Sequence, residues 1–407
     1  MFFDSICKRN CAATRSIPFQ ERKSPLRGIL DLTTGRYPRF LFGGGLGQWL
    51  PVFHFHEAHP KALEPYFQYL VENGYRTVTS DQIAAFVLRS VHPGPKSVAL
   101  CFDDAWSSLW VCAAPLLQKY NLQAIAYVSP GRVPAAPAPR RQWDGTNTPD
   151  VAIALDRTEP FFSTWGELRA MHAGGLLDIQ AHSLRHALVF ASDEVAGFIQ
   201  PRRREHPHTI PLVDTPDGLR FAASEDLGAP LYATRSRLSD VRRWIAPDAF
   251  AGCIRHVQAN GGASFFQREA WQAELRACVA QARPGRWESE PERNAAIREE
   301  LARARARLEA ELGKQIHHMC FPRAVAGKAA LRLAAETGYQ TAFADRLWGA
   351  RAVRPGDPPY QLMRLKHPLI FCLPGKQRTW FFGRKPNSAS HGLELGPILL
   401  PTSPNPP

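Results

Sequence analysis

Residues Ser97-Val98-Ala99-Leu100-Cys101-Phe102-Asp103-Asp104 give the clearest indication of how this chain folds. The first six are dominated by β-branched, aromatic and small apolar types, which predicts a buried strand. Two adjacent carboxylates follow that strand directly. Paired carboxylates at the carboxyl end of an apolar strand are typical of a site in a parallel α/β sheet or barrel. Taken alone, Asp103 and Asp104 could equally be a turn or a helix cap.

A second short apolar strand also ends in polar residues. It occupies residues 176–181 and runs into His182-Ser183-Leu184-Arg185-His186, where two imidazoles are four residues apart. Four residues make one helical turn, so both imidazoles would project from the same face, with Ser183 capping the turn. One carboxylate and two imidazoles form a three-ligand metal site with a position open for water, which is the catalytic pattern. A second carboxylate beside them would then be available as general base.

The H-x-x-x-H spacing is weak evidence by itself, because single histidines are more often solvated or packed than metal ligands. Together with a strand that ends in Asp-Asp, it favours a metal site. The spacing lacks the glutamate of H-E-x-x-H, since Ser183 stands at that position, and this disfavours a zincin protease.

The composition indicates a globular protein with one large domain and additions, or with two domains. The chain has 407 residues, of which 44% are hydrophobic and 21% charged. The formal net charge of +13 suits an acidic partner such as nucleic acid, an anionic glycan or a lipid headgroup. Aromatic residues do not alternate with the basic ones, so we expect no nucleic-acid partner. The eight cysteines form no C-x-x-C and predict no disulfide framework.

Targeting signals are not apparent in the sequence. Residues 1–27 carry charges throughout and lack the apolar core of a secretory signal, and no apolar run reaches the length of a membrane span. We therefore expect a cytoplasmic protein without a transmembrane segment, or an exported one if the true start of the chain differs.

The predicted strands and helices alternate, which indicates an α/β fold with a parallel sheet, open or closed into a barrel. We expect an N-terminal extension over residues 1–46 and the barrel over residues 47–384. Residues 187–293 are dotted with proline and glycine and are interpreted as an insertion that forms a lid or a subdomain. Residues 385–407 are rich in proline and serine and are predicted to be a disordered tail.

These motifs resemble the polysaccharide deacetylase family, metal-dependent enzymes of the chitooligosaccharide deacetylase type. Its first motif, an apolar strand ending Phe-Asp-Asp, is matched by Cys101-Phe102-Asp103-Asp104, and its second, His-Ser/Thr-x-x-His, by residues 182–186. Residues 53–56 are similar to the strand that opens the branch acting on exopolysaccharides. The similarity covers residues 49–186 and 294–370, on either side of the insertion.

The resemblance implies a deformed (β/α) barrel with its site at the carboxyl ends of the strands. It implies Asp104, His182 and His186 as ligands of one divalent metal ion and Asp103 as general base. Zinc suits imidazole and carboxylate ligands best, and cobalt, nickel, iron and manganese are alternatives.

The sequence departs from the family pattern at three places. Ala105 replaces the glycine that commonly follows Phe-Asp-Asp. Arg323 stands in the region of the third motif, where it either pairs with Asp103 or faces solvent. His367 is the candidate for the catalytic acid of the fifth motif, with an exposed loop histidine as the alternative. In addition, His56 either reaches the pocket from the first strand or is a packed histidine behind it.

The resemblance therefore implies a hydrolase that removes N-acetyl groups from amino sugars of a polysaccharide or glycan precursor. The expected substrate is an N-acetylated glycan or a lipid- or nucleotide-linked precursor. One alternative is a deacylase or C–N hydrolase that acts on a non-polymeric substrate. Another is a non-catalytic carbohydrate-binding or assembly protein on the same fold, which the intact Asp103, Asp104, His182 and His186 disfavour.

Overall fold

The computed structural model describes residues 37–56, 58–135, 138–145, 161–201, 206–215, 218–345 and 352–379. Residues 1–36 of the predicted extension and the whole predicted tail, 385–407, lie outside the described residues. The strands of the described part are, in chain order, β1 (Val52–Phe55), β2 (Arg76–Thr77), β3 (Ser97–Asp103), β4 (Ala124–Val128), β5 (Leu177–Ala181), β6 (Leu188–Phe198), β7 (Leu212–Thr215), β8 (Gly218–Phe221), β9 (Pro230–Ser236), β10 (Trp244–Ile245), β11 (Arg286–Trp287), β12 (His318–Cys320), β13 (Thr341–Asp345), β14 (Leu362–Met363) and β15 (Leu365–Lys366).

The described α-helices lie between some of these strands in the chain. They are α1 (Pro60–Glu72), α2 (Ser80–Arg89), α3 (Ala114–Lys119), α4 (Trp165–Ala173), α5 (Pro247–Ala259), α6 (Trp271–Gln281), α7 (Glu290–Leu312) and α8 (Lys328–Glu336). Among the described residues, no helix is both long enough and apolar enough to cross a membrane.

One parallel sheet forms a nearly closed barrel. Its strand order is β14, β13, β12, β5, β4, β3, β1, β15, and β2 pairs with β3 off this path. Only Arg364 separates β14 from β15, yet β14 pairs with β13 and β15 pairs with β1. This one short segment therefore brings the two ends of the sheet together. The predicted α/β fold, a deformed (β/α) barrel, is confirmed.

The apolar sequence of β3 explains its central place. All seven of its residues are buried, as expected for a parallel strand covered on both faces. Its neighbours β1 and β4 pair with it in register, for example Phe55 with Phe102 and Tyr127 with Asp103. This register aligns the carboxyl ends of three strands at one end of the barrel.

The described part of the predicted N-terminal extension packs against the barrel. Phe40 and Leu41 are buried in the main apolar core, although the sequence analysis placed them in the extension over residues 1–46. Arg378 holds this segment by donating hydrogen bonds to the carbonyl oxygens of Phe40, Gly43 and Gly44 at 2.6–2.7 Å. The described residues before 47 are therefore part of the packed fold.

The segment predicted as an insertion is more regular than its proline and glycine content indicates. It contains three antiparallel strand pairs, β6 with β9, β7 with β8 and β10 with β11, together with α5 and α6. It has an apolar cluster of its own around Cys253, Val257, Phe265 and Leu275. A short 3-10 turn, Pro207–Thr209, lies between β6 and β7.

Candidate metal centre

The turn after β3 directs the two adjacent carboxylates to different partners. Asp104 and Ala105 both adopt left-handed backbone conformations, with φ of 70° and 55°. The N–H of Asp104 still donates to the carbonyl of Tyr127 in β4, at 3.0 Å. A glycine would take the Ala105 conformation without steric cost, which explains why the family favours one there, whereas alanine tolerates it at about 1 kcal/mol.

The loop after β5 brings two imidazoles together without a helix. Ser183 and His186 have φ of 63° and 52°, and residues 182–187 form a bend, so the predicted helical turn is wrong. Ser183 does accept a backbone hydrogen bond, as a capping residue would, although no helix follows it. Its hydroxyl accepts from the N–H of His186 at 2.9 Å. The rings of His182 and His186 lie 5.3 Å apart between centroids.

Asp104, His182 and His186 form one buried cluster. Oδ1 of Asp104 lies 3.4 Å from Nε2 of His182 and 3.8 Å from Nε2 of His186. One potential ligand atom from each residue lies within 4.8 Å of the others. Ligands at about 2.0–2.1 Å from a tetrahedral ion are separated by about 3.3 Å, so this spacing is that of groups around a single ion.

The protonation of the cluster also fits a divalent ion. Nδ1 of His182 lies 2.7 Å from the carbonyl oxygen of Cys320, and a proton on Nδ1 donated to that oxygen leaves the lone pair of Nε2 facing Asp104. Burial holds the pKa of His186 well below its usual value, although the charge of Asp104 opposes this. Burial would raise the pKa of Asp104, but the three histidines around it, His208, His186 and His182, hold it well below the usual range. The carboxylate is therefore charged and His186 neutral.

Asp103 is held by an arginine that the sequence analysis did not identify. Arg364, between β14 and β15, donates hydrogen bonds to both carboxylate oxygens, at 2.6 and 2.7 Å, and both residues are buried. Burial alone would raise the pKa of Asp103, but the charge and hydrogen bonds of Arg364 hold it well below the usual range. The sequence did contain a signal for Arg364, because it is a charged residue inside the otherwise apolar run Leu362-Met363-Arg364-Leu365.

Arg323 has a different role from the predicted pairing with Asp103. It is exposed, and its guanidinium donates a hydrogen bond to the backbone carbonyl of His208 at 2.9 Å. Of the two predicted alternatives, Arg323 follows the one in which it faces solvent. It also contacts the segment predicted as an insertion, through the carbonyl of His208.

His56 and His367 contact different parts of the barrel end. Nε2 of His56 is 3.8 Å from Oδ2 of Asp103, and 56% of its side chain is exposed. The ring of His367 stacks on Phe55 at 5.0 Å, and its Nδ1 lies 3.3 Å from the carbonyl oxygen of His54. Burial lowers the pKa of His367. His56 is therefore in contact range of Asp103 and open to solvent, whereas His367 packs against β1.

A further histidine beside the cluster comes from the insertion. Nε2 of His208 lies 3.3 Å from Oδ2 of Asp104, and His208 is buried. The sequence offered no signal for it, because His206-Pro207-His208 stands in a proline-rich stretch far from either motif.

Comparison with known proteins gives the same interpretation for part of the chain. Residues 90–200 match the family model described as polysaccharide deacetylase. The chain contains a polysaccharide deacetylase domain. The matched range includes β3, β5 and all four predicted residues Asp103, Asp104, His182 and His186, but neither His208 nor Arg364.

The deacetylase domain also has curated relatives. Poly-beta-1,6-N-acetyl-D-glucosamine N-deacetylase from Escherichia coli (strain K12) is 28% identical over 134 residues, which are 32% of this chain and 18% of that protein. The matches to curated relatives span between 18% and 24% of those proteins' own lengths.

Solved structures resemble the domain at lower identity. IcaB from Ammonifex degensii is 18% identical with a TM-score of 0.43, and the match covers 78% of this chain and 92% of that chain. The BpsB deacetylase domain from Bordetella bronchiseptica is 17% identical with a TM-score of 0.46, and the match covers 79% of this chain and 96% of that one.

Proposed function

We propose that this protein removes N-acetyl groups from amino sugars of a polysaccharide or glycan precursor. The proposed metal ligands are Asp104, His182 and His186, and the proposed ion is zinc. The observation that carries the proposal is the buried three-ligand cluster directly beside Asp103, a carboxylate that Arg364 keeps charged.

The proposed reaction breaks the amide C–N bond with one water molecule and yields acetate and a free amine. When bound, the ion supplies Lewis acidity, which polarises the acetyl carbonyl and makes water more acidic. Asp103 accepts the proton of the attacking water. Arg364 fixes the orientation of that carboxylate, because two hydrogen bonds hold both of its oxygens.

The leaving nitrogen must receive a proton before it departs as an amine. We assign this step to His56, because its imidazole lies 3.8 Å from Asp103 and is open to solvent. His367 is assigned a packing role beside Phe55 instead, since its ring is stacked there.

The test is acetate release from N-acetylglucosamine oligomers, with metal analysis of the same samples. The Escherichia coli relative is named for poly-beta-1,6-N-acetyl-D-glucosamine, so β-1,6-linked oligomers come first and β-1,4-linked ones second. We expect release to follow bound metal and to be lost in Asp104→Asn and His182→Ala. Asp103→Asn should retain metal but lower kcat by about 10²–10⁴-fold.

Asp193→Asn is the matched control, because Asp193 is an exposed carboxylate on β6, and it should behave as wild type. Metal-bound protein that cleaves a simple acetyl ester but no N-acetyl sugar would instead support the deacylase alternative. Protein that binds no metal and releases no acetate would support a carbohydrate-binding role.

A further inference from the structure

His208 occupies a position that packing alone does not explain. It lies on the 3-10 turn Pro207–Thr209 of the insertion, and its ring packs against Trp106 at 5.3 Å and Phe162 at 5.5 Å. The rings of His186, at 4.1 Å, and of His206, at 5.5 Å, are its other neighbours. An imidazole is thus inserted between an aromatic wall and the cluster of Asp104, His182 and His186.

One ring nitrogen of His208, Nε2, is directed at that cluster. It is only 6% exposed, and neither of its ring nitrogens has a well-aligned hydrogen bond to another described residue. Burying an imidazole without a partner is costly, so such a group calls for an explanation. Nε2 lies 3.3 Å from Oδ2 of Asp104, and a small rotation of either side chain would align an N–H with that oxygen.

The two oxygens of Asp104 have different neighbours. His182 and His186 face Oδ1, whereas His208 faces Oδ2. A carboxylate that binds an ion through one oxygen is commonly held by a hydrogen bond to the other. The position of His208 is therefore that of a group which orients a ligand, on the side away from the two ligand histidines.

The barrel holds the turn in place. Arg323, which follows β12, donates a hydrogen bond to the carbonyl oxygen of His208 at 2.9 Å. Within the turn, the N–H and the hydroxyl of Thr209 both donate to the carbonyl of His206, at 2.8 and 2.7 Å. The imidazole is thus presented by a short, doubly anchored turn.

We propose that His208 is a positioning residue of the metal centre, through which the insertion orients Asp104 and completes the site. The inference rests on the metal-binding site of the proposed function. It assigns the insertion a role in the centre itself, in addition to any role as a lid or subdomain.

The test is the affinity of the purified full chain for Zn²⁺, measured by competition with a chromophoric chelator, together with the rate of metal release to EDTA. His208→Leu keeps an apolar side chain against Trp106 and Phe162 but removes the N–H. We expect its affinity to fall by about 10- to 100-fold and its release to be faster. His208→Gln, whose amide can donate to the same oxygen, should recover most of the affinity.

His92→Leu is the control, because His92 is an exposed histidine on the loop before β3, at the other end of that strand from Asp104, and it should bind Zn²⁺ as wild type does. Thermal unfolding of the metal-free variants identifies a loss of folding. Such a loss would lower the Tm and the Zn²⁺ affinity of His208→Leu and His208→Gln alike. Equal Zn²⁺ affinity in wild type and His208→Leu, or equal losses in the Leu and Gln variants, would overturn this inference alone. Wild type that binds no Zn²⁺ would overturn both this inference and the proposed function.

Discussion

Asp103 and Arg364 form a buried ion pair, and Asp103 is also the proposed general base. Both side chains are nearly inaccessible to water, so each needs the other to compensate for lost hydration. The two hydrogen bonds from one planar guanidinium also fix the carboxylate in a single orientation. The orientation of the proposed general base therefore depends on an arginine at a distant position in the chain.

Arg364→Met is expected to destabilise the protein strongly, because it leaves Asp103 buried and unpaired. Breaking such a buried pair lowers the free energy of unfolding by about 3–5 kcal/mol. Urea unfolding measures this, and the double variant Arg364→Met with Asp103→Asn should recover part of the loss. Arg354→Met, which breaks a half-exposed ion pair with Asp357, should cost less than about 1 kcal/mol. Similar losses in the two single variants would contradict the assigned role of Arg364.

The loop that carries the two proposed ligand histidines is held by Gly131, which follows β4. The N–H of Gly131 donates to the carbonyl of Leu184 at 2.7 Å. A Cβ atom at residue 131 would lie 2.7 Å from that same oxygen and 2.9 Å from Cγ of Arg185. Glycine is therefore needed here for close backbone approach, between His182 and His186, rather than for an unusual φ.

Gly131→Ala is expected to displace this loop and so misplace the two imidazoles. A shift of about 1 Å at such a site typically lowers kcat/KM by about 10²-fold. Steady-state kinetics and Zn²⁺ affinity check this prediction. Gly252→Ala is the control, since a Cβ there meets no atom within 4 Å and the residue lies within helix α5. Wild-type kinetics in Gly131→Ala would show that the loop position does not depend on this contact.

The candidate metal centre joins parts of the molecule that are far apart in the chain. Asp104 follows β3, His182 follows β5 and hydrogen-bonds to the end of β12, and His208 belongs to the insertion. An ion bound there would stabilise the native state over the unfolded chain, in which these ligands are separated.

Metal removal is accordingly expected to lower Tm. At a free metal concentration 100 times Kd, binding contributes about 2.7 kcal/mol to the free energy of unfolding. Differential scanning calorimetry with and without EDTA should show this difference in wild type, whereas His182→Ala should unfold at the same temperature in both. A wild-type Tm that EDTA leaves unchanged would argue against a metal bound at this site.

Much of the fold could be predicted because its signals are local. An apolar strand that ends in Asp103 and Asp104, and a second one followed by His182, are each recognisable within a few residues of sequence, and they lie on either side of β4 in the sheet. The capping box of Thr164 and Glu167 is equally local, and the structure contains it. The loop at residues 182–187 was predicted as a helical turn because spacing alone does not reveal the left-handed conformations of Ser183 and His186.

The sequence by itself determined an α/β fold with a parallel sheet and the motif residues, since strand periodicity and adjacent polar groups depend only on near neighbours in the chain. Closure into a barrel was implied by the family resemblance alone. Only the tertiary structure decided which side chains contact these motif residues. Arg364 reaches Asp103 across 261 residues because β14 and β15 close the barrel at that point, and His208 reaches Asp104 because the insertion folds back over the strand ends. Such contacts follow from chain closure and packing, and no local pattern encodes them.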